Sequence, residues 1–181
     1  MIKEIILLRE IERSDLIYIN QWRHDKDTIS NLGTPFRYIN REVDDKWFDS
    51  YMSTRANNIR LAICDSSDNK IIGCVYLLSI DWVNRNAELA IWIGNTSNRG
   101  RGIGKKALDL TLNHAFFDLN LHRLYLTVLE TNENAMKLYL KSGFKNEGIL
   151  YDSIFKHGKF QNQIVMGIIS TDYKVNLQGD N

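Results

Sequence analysis

The chain has 181 residues, 44% hydrophobic and 25% charged, with a formal net charge of +1. That length and mixture suit a single domain with a sizeable core, and the near-neutral balance gives no electrostatic basis for a nucleic-acid partner. Purely apolar runs are too short for a membrane-spanning helix, and the opening MIKEIILLREI reaches charge too early for a secretory signal.

Residues 5–11 are apolar and bounded by charge, which predicts a strand. Ser14 reads as the N-cap of a helix to about Arg23, with Leu16, Ile19 and Trp22 on one face. Residues 24–40 read as loop around Pro35, the single proline. Asn40 opens a second helix whose apolar face is Val43, Trp47, Phe48 and Tyr51. Residues 60–64 and 71–80 form a hairpin around a polar turn, and residues 85–93 add a strand. Cys64 and Cys74 fall in that hairpin and read as buried, reduced thiols, in keeping with a cytoplasmic protein. The tryptophans Trp22, Trp47, Trp82 and Trp92 read mainly as core.

Residues 101–118 carry a helical stripe through Ile103, Ala107, Leu108, Leu112, Ala115 and Phe116. Residues 123–129 are rich in strand formers. Asn132 caps a short helix that Gly143 stops, and residues 145–155 and 160–169 make a last hairpin around His157 and Gly158. The expected order is β-α-α-β-β-β-α-β-α-β-β, an α+β layer structure in one domain, residues 1–175, with a disordered tail at 176–181.

The most pointed stretch is NRGRGIGKKAL, residues 98–108, with three glycines and four basic side chains between a strand and a helix. A P-loop needs glycine at 99, which is Arg99, and Ser or Thr at 106, which is Lys106. Gly100, Gly102 and Gly104 give G-x-G-x-G rather than the dinucleotide fingerprint G-x-G-x-x-G. The physics common to both motifs still applies. Glycine lets backbone N–H groups approach a ligand, and a helix start aims free donors and a positive dipole end at the same place. Arg99, Arg101, Lys105 and Lys106 add cations where the dipole disfavours them, an arrangement explained by a bound polyanion, a phosphate group above all.

Arg99-Gly100-Arg101-Gly102-Ile103-Gly104 resembles the [QR]-x-x-G-x-[GA] signature of the GNAT superfamily of acyl-CoA-dependent N-acetyltransferases. Residues 132–144, NENAMKLYLKSGF, resemble that family's N-x-x-A-x-x-L-Y-x-x-x-G-F motif, one helix and one strand further on. The likeness covers nearly the whole chain. Within the family it is closest to the ribosomal-protein alanine and bacterial spermidine N-acetyltransferase branches. The resemblance implies a GNAT fold: a mixed, mostly antiparallel sheet splayed at its centre, with helices on both faces. It implies acetyl-CoA as co-substrate, held at its pyrophosphate by Arg99, Gly100, Arg101, Gly102, Ile103, Gly104 and Lys105. It also implies a pantetheine arm against the strand at Ile91, Trp92 and Ile93, with Asn132 and Tyr139 contacting it.

By the same resemblance Tyr139 protonates the departing thiolate, and Glu88 is the general-base candidate that takes a proton from the amine. An amide near Ile91 or Trp92 donates to the thioester oxygen. Each position has a plainer reading as well: Tyr139 as a packed aromatic, Glu88 as a strand carboxylate paired with Arg85 or Arg123, Asn132 as an N-cap, Trp92 as core or as a wall of the acceptor pocket. No metal is expected, because His24, His114, His122 and His157 lack ligand spacing.

The acceptor is expected to be a primary amine on a peptide N-terminus, an amino sugar or a small molecule, attacked directly, with no membrane partner. Spermidine acetylation is the alternative. The spermidine enzymes carry paired carboxylates before a proline in the loop after the first helix, where this chain has Gly33-Thr34-Pro35 and then Arg37. Asp44, Asp45 and Asp49 are possible substitutes. A CoA-binding sensor without turnover is the rival from another class, and a homodimer or higher oligomer is the assembly the resemblance implies.

Overall fold

The computed structural model describes residues 6–94 and 98–173. Seven strands form one sheet: β1 (Ile6–Glu10), β2 (Ile59–Asp65), β3 (Ile71–Asp81), β4 (Asn86–Ile93), β5 (Arg123–Leu129), β6 (Lys145–Lys156) and β7 (Lys159–Ile169). The spatial order is β1-β2-β3-β4-β5-β7-β6. Every neighbouring pair is antiparallel except β4 with β5, which run parallel. Period-2 alternation sets the faces. In β5, Leu124, Leu126 and Val128 are buried on one side while Tyr125 and Thr127 face the other.

Helices α1 (Leu16–His24), α2 (Lys26–Ser30) and α3 (Arg41–Ser53) precede β2. Leu16, Ile19, Phe48 and Tyr51 from α1 and α3 pack onto Ala62, Cys64, Cys74 and Tyr76 of the sheet. On the opposite face, α4 (Ile103–Asn113) and α5 (Glu133–Lys141) bring Leu108, Leu112 and Tyr139 against Leu77, Leu89, Leu124 and Leu126. Each such side chain contributes about 1.5–3 kcal/mol on burial. The final turn places His157 at φ 52° and Gly158 at φ 77°, a two-residue hairpin turn matched to the strand twist.

Several local expectations need correction. Ser14 is not a cap: residues Arg13–Asp15 form a tight 3₁₀ turn and α1 starts at Leu16. The cause is Asp15, whose carboxylate accepts from Glu12 N–H at 2.8 Å and from both Arg9 terminal nitrogens at 2.8 and 2.9 Å. The expected loop at 24–40 contains α2, capped by Asp25, whose side chain accepts from the Asp27 and Thr28 amides at 3.2 Å each. Helix α4 begins at Ile103 because Gly102 sits at φ 79° and ends the run of helical dihedrals. Its far end widens into a looser turn, with Leu119 N–H donating to His114 O at 3.0 Å. Trp82 is largely exposed, its indole N–H on Ala56 O at 3.0 Å. Cys64 and Cys74 are free and buried, and burial pushes their thiols up to about 11 and about 12. The tail expected at 176–181 lies outside the described residues.

Candidate active site

The site begins where the sheet fails to close. Strands β4 and β5 pair only at Asn86↔Arg123, Ala87↔Leu124 and Glu88↔Tyr125, although β4 runs on to Ile93 and β5 to Leu129. Gly94 N–H donates to Ile72 O at 3.0 Å. In an antiparallel ladder successive residues alternate direction, so the Trp92 amide also turns to β3. The amides and carbonyls of Ile91 and Ile93 therefore face the split. Trp92 contributes its side chain instead, edge-on to Trp22 with ring centroids 5.6 Å apart. Gly94 fits because a Cβ there would lie 2.0 Å from the Trp22 ring.

A cavity of about 390 Å³ occupies the split, and Glu88, Ile91, Trp92, Asn132 and Tyr139 all line it. The glycine turn lies beyond the end of β4. Gly100 and Gly102 have φ of 74° and 79°, and a Cβ at either would meet nothing within 4 Å. The first intrahelical acceptor of α4 is Gly102 O, taken by Lys106 N–H at 3.1 Å, and no side chain among the described residues caps the helix. The amides of Ile103, Gly104 and Lys105 therefore have no intrahelical partner.

The basic residues of the turn differ in what they do. Arg99 donates to Thr28 Oγ1 at 3.3 Å, and that hydroxyl donates to Gly94 O at 3.1 Å, which ties the turn to α2 and to the end of β4. Arg101 reaches Asn98 Oδ1 at 3.2 Å. Lys105 lies along α4 on Asp109 Oδ2 at 2.6 Å, a helical i,i+4 pair readable from the sequence.

Tyr139 and Glu88 meet the cavity from different elements. Asn132 Oδ1 accepts from Ala135 N–H at 3.2 Å and starts α5, which sets Tyr139 into the cavity wall. The Tyr139 ring packs on Phe144 at 5.6 Å, its hydroxyl has no hydrogen-bond partner among the described residues, and burial pushes its pKa up to about 12. Glu88 is not paired with Arg85 or Arg123. Arg85 Nε donates to Asn120 O at 2.9 Å and Arg123 Nη1 to Glu147 Oε1 at 2.7 Å. Asn132 is a cap and a clasp at once, its Nδ2 donating to Asn31 O at 3.0 Å.

The far wall of the cavity includes Asn31, Leu32, Gly33 and Thr34 from the segment after α2. Lys156 of β6 holds that segment. Its buried Nζ donates to Ile29 O at 2.6 Å, to Thr34 O at 3.0 Å and to Leu32 O, and burial lowers its pKa. Sequence reasoning missed Lys156, because a lysine at a hairpin end carries no local sign of burial. Asp44 is fully buried, paired with Arg23 and accepting from Asn20 Nδ2 at 2.6 Å. Asp45 and Asp49 hold Arg13. None of the three lines the cavity, whereas Arg23, Arg60 and Tyr76 do.

The model of the acetyltransferase (GNAT) domain matches residues 6–145. The spermidine N(1)-acetyltransferase of Escherichia coli (strain K12) is 31% identical, over 93% of this chain and 88% of the relative. The enzyme of the same name from Vibrio cholerae serotype O1 is 28% identical over 93% of this chain and 95% of its own. The crystal structure of spermidine N-acetyltransferase from Vibrio cholerae in complex with CoA and spermine has a TM-score of 0.88 at 27% identity, covering 94% of this chain and 99% of that one. No helix among the described residues is long and apolar enough to cross a membrane.

Proposed function

The chain belongs to the GNAT acetyltransferase family and is an N-acetyltransferase, and we propose that it passes the acetyl group of acetyl-CoA directly to the primary amine of a small acceptor. The observation that carries this reading is the split between β4 and β5, with Glu88 and Tyr139 on one cavity beside an uncapped α4. The residues fit the donor. Positive-φ glycines with open space above them, followed by free helix amides, suit a diphosphate, and the unpaired edge at Ile91 and Ile93 suits an amide-bearing arm.

When bound, acetyl-CoA supplies an activated thioester. Glu88 takes the proton that an ammonium must shed before it attacks, directly or through water. The Ile91 amide donates to the carbonyl oxygen as negative charge grows there. Tyr139 keeps its proton at neutral pH and gives it to the sulfur as the C–N bond forms and the C–S bond breaks, and the second proton, shed by the nitrogen as it becomes an amide, returns the phenolate to the phenol through water. Direct attack fits the chain's nucleophiles: Cys64 and Cys74 lie in β2 and β3 with raised pKa values and line no part of the cavity. A cytoplasmic site of action suits a consumer of acetyl-CoA. A homodimer or larger assembly has apolar surface available at Tyr151, Phe155 and Phe160 of the last hairpin.

A polyamine acceptor is the second reading, favoured by the substrate in the relatives' names. The cavity wall opposes it, with Glu88 as its carboxylate against two guanidiniums. Thiol release from acetyl-CoA across an amine panel tests the activity, with Tyr139→Phe as control. Binding of acetyl-CoA without thiol release for any amine refutes it.

A further inference from the structure

The acceptor end of the cavity holds two arginines, and only one has a carboxylate. Arg23 pairs with buried Asp44. Arg60, on β2, instead lies among three aromatic rings, its guanidinium carbon 5.0 Å from the Trp47 centroid, 5.6 Å from Tyr51 and 4.8 Å from Tyr76. Stacking satisfies the faces of a guanidinium but not its in-plane N–H edge. The Arg60 Nε is buried with no hydrogen-bond partner, and Arg60 makes no ion pair among the described residues. The Tyr76 hydroxyl beside it is also buried without a partner of normal hydrogen-bond geometry, with the soft Cys74 thiol as a polar neighbour. Desolvation, with Arg23 nearby, lowers the Arg60 pKa. A half-buried cation with an orphaned donor is costly unless something pairs with it.

The sheet register relates this cation to the reaction centre. Arg60 pairs with Tyr76 and Tyr76 with Ala90, one row across β2, β3 and β4, and Glu88 lies two residues along β4 from that row. Two strand spacings and two residues put the Arg60 and Glu88 Cα atoms on the order of 12 Å apart. Both side chains line one cavity from the same face of the sheet, so an amine at Glu88 and an anion at Arg60 can belong to one small molecule.

We propose that Arg60, backed by Arg23, selects the acceptor by its anionic group, so that the substrate is a primary amine bearing a carboxylate or phosphate. The inference rests on the acetyltransferase reading of this cavity and narrows its acceptor. Carboxylate and phosphate share what the two terminal nitrogens of the guanidinium need, a pair of oxygens in one plane, while Nε lies too deep for a ligand to reach. A polycation fits worse, because the ring faces that would hold an ammonium are already occupied by Arg60.

Matched acceptors test it: 3-aminopropanol against β-alanine for the carboxylate, ethanolamine against O-phosphoethanolamine and glucosamine against glucosamine 6-phosphate for the phosphate, and spermidine alone. Thiol release gives kcat and KM for each. The wild type favours the anionic member of at least one pair by about 10- to 100-fold in kcat/KM, mostly through KM, as expected for one charge-assisted pair. Arg60→Gln collapses that preference, and Arg60→Lys restores part of it. Equal use of both members of every pair, a preference for spermidine, or an unchanged preference in Arg60→Gln overturns the inference.

A direct binding arm covers a panel in which no amine turns over. Inorganic phosphate is titrated into the CoA-saturated protein and followed by intrinsic tryptophan fluorescence, to which Trp47, stacked on Arg60, contributes. Saturation lost in Arg60→Gln supports the inference, and the absence of any Arg60-dependent signal overturns it. Calorimetry with acetyl-CoA alone separates the two levels, since failure there removes the transferase reading whatever Arg60 does.

Discussion

Replacing Tyr139 with Phe separates chemistry from packing more cleanly than any other change in this site. The ring keeps its contact with Phe144, and the lost hydroxyl has no partner among the described residues. The stability change is therefore expected within about 1 kcal/mol, a melting shift of no more than roughly 2–4 °C for a chain of this size. If Tyr139 protonates the thiolate, kcat falls by about 10²–10⁴, a barrier rise of roughly 3–5 kcal/mol. Burial raises the hydroxyl pKa to about 12 from about 10 in the unfolded chain. The raised value favours the neutral form in the fold. Its contribution to stability is complete below about pH 10 and is lost as pH climbs through the folded value. Wild-type activity should rise with pH as the amine loses its proton and then level, with no alkaline fall from Tyr139 below about pH 10. Thiol release measured across that range, beside a thermal melt of each variant, gives both numbers. A Tyr139→Phe protein that melts normally and keeps kcat within about threefold of wild type refutes the role.

Four further changes probe the supporting structure. Gly102→Ala puts a Cβ on a residue at φ 79°, costing about 1–2 kcal/mol, and should raise the KM for acetyl-CoA about tenfold or more; an unchanged KM removes the cradle from the binding site. Gly94→Ala drives a methyl into the Trp22 ring and should lower the melting temperature by about 5–10 °C, read by calorimetry. Asp44→Ala leaves Arg23 without its buried partner and should cost about 3–5 kcal/mol in urea unfolding, and a loss under about 1 kcal/mol contradicts the pairing. Lys156→Met removes the ammonium from three carbonyls, of which Ile29 O keeps the Leu32 N–H, and should cost about 2 kcal/mol net, raise hydrogen exchange at residues 29–34 and raise the acceptor KM more than the acetyl-CoA KM.

The elements legible in the sequence were those fixed by local periodicity and punctuation. Strand β5 and the Asn132 cap fall where alternation and capping chemistry put them, and the turn at His157 and Gly158 is where the last hairpin reverses. The glycine turn was legible because backbone requirements leave few residue choices. Misreadings came where a side chain's partner lies on another element. Asp15 rather than Ser14 organises the start of α1, because Arg9 of β1 reaches it. Asp44, Asp45 and Asp49 looked available to an acceptor until α1 and its preceding turn supplied Arg23 and Arg13. Arg60 and Lys156 gave no warning, since their burial is created by aromatic rings and carbonyls contributed from other parts of the chain.

The three carbonyls on Lys156 come from residues 29–34, more than 120 positions earlier. During synthesis this cavity-lining segment leaves the ribosome long before the ammonium that fixes it. Until the last strand pair docks, residues 29–34 lack the ammonium that fixes them, and β5 lacks the neighbour on its far side. Truncation ahead of β6 should accordingly leave a chain whose substrate selectivity, and not merely its stability, has been lost.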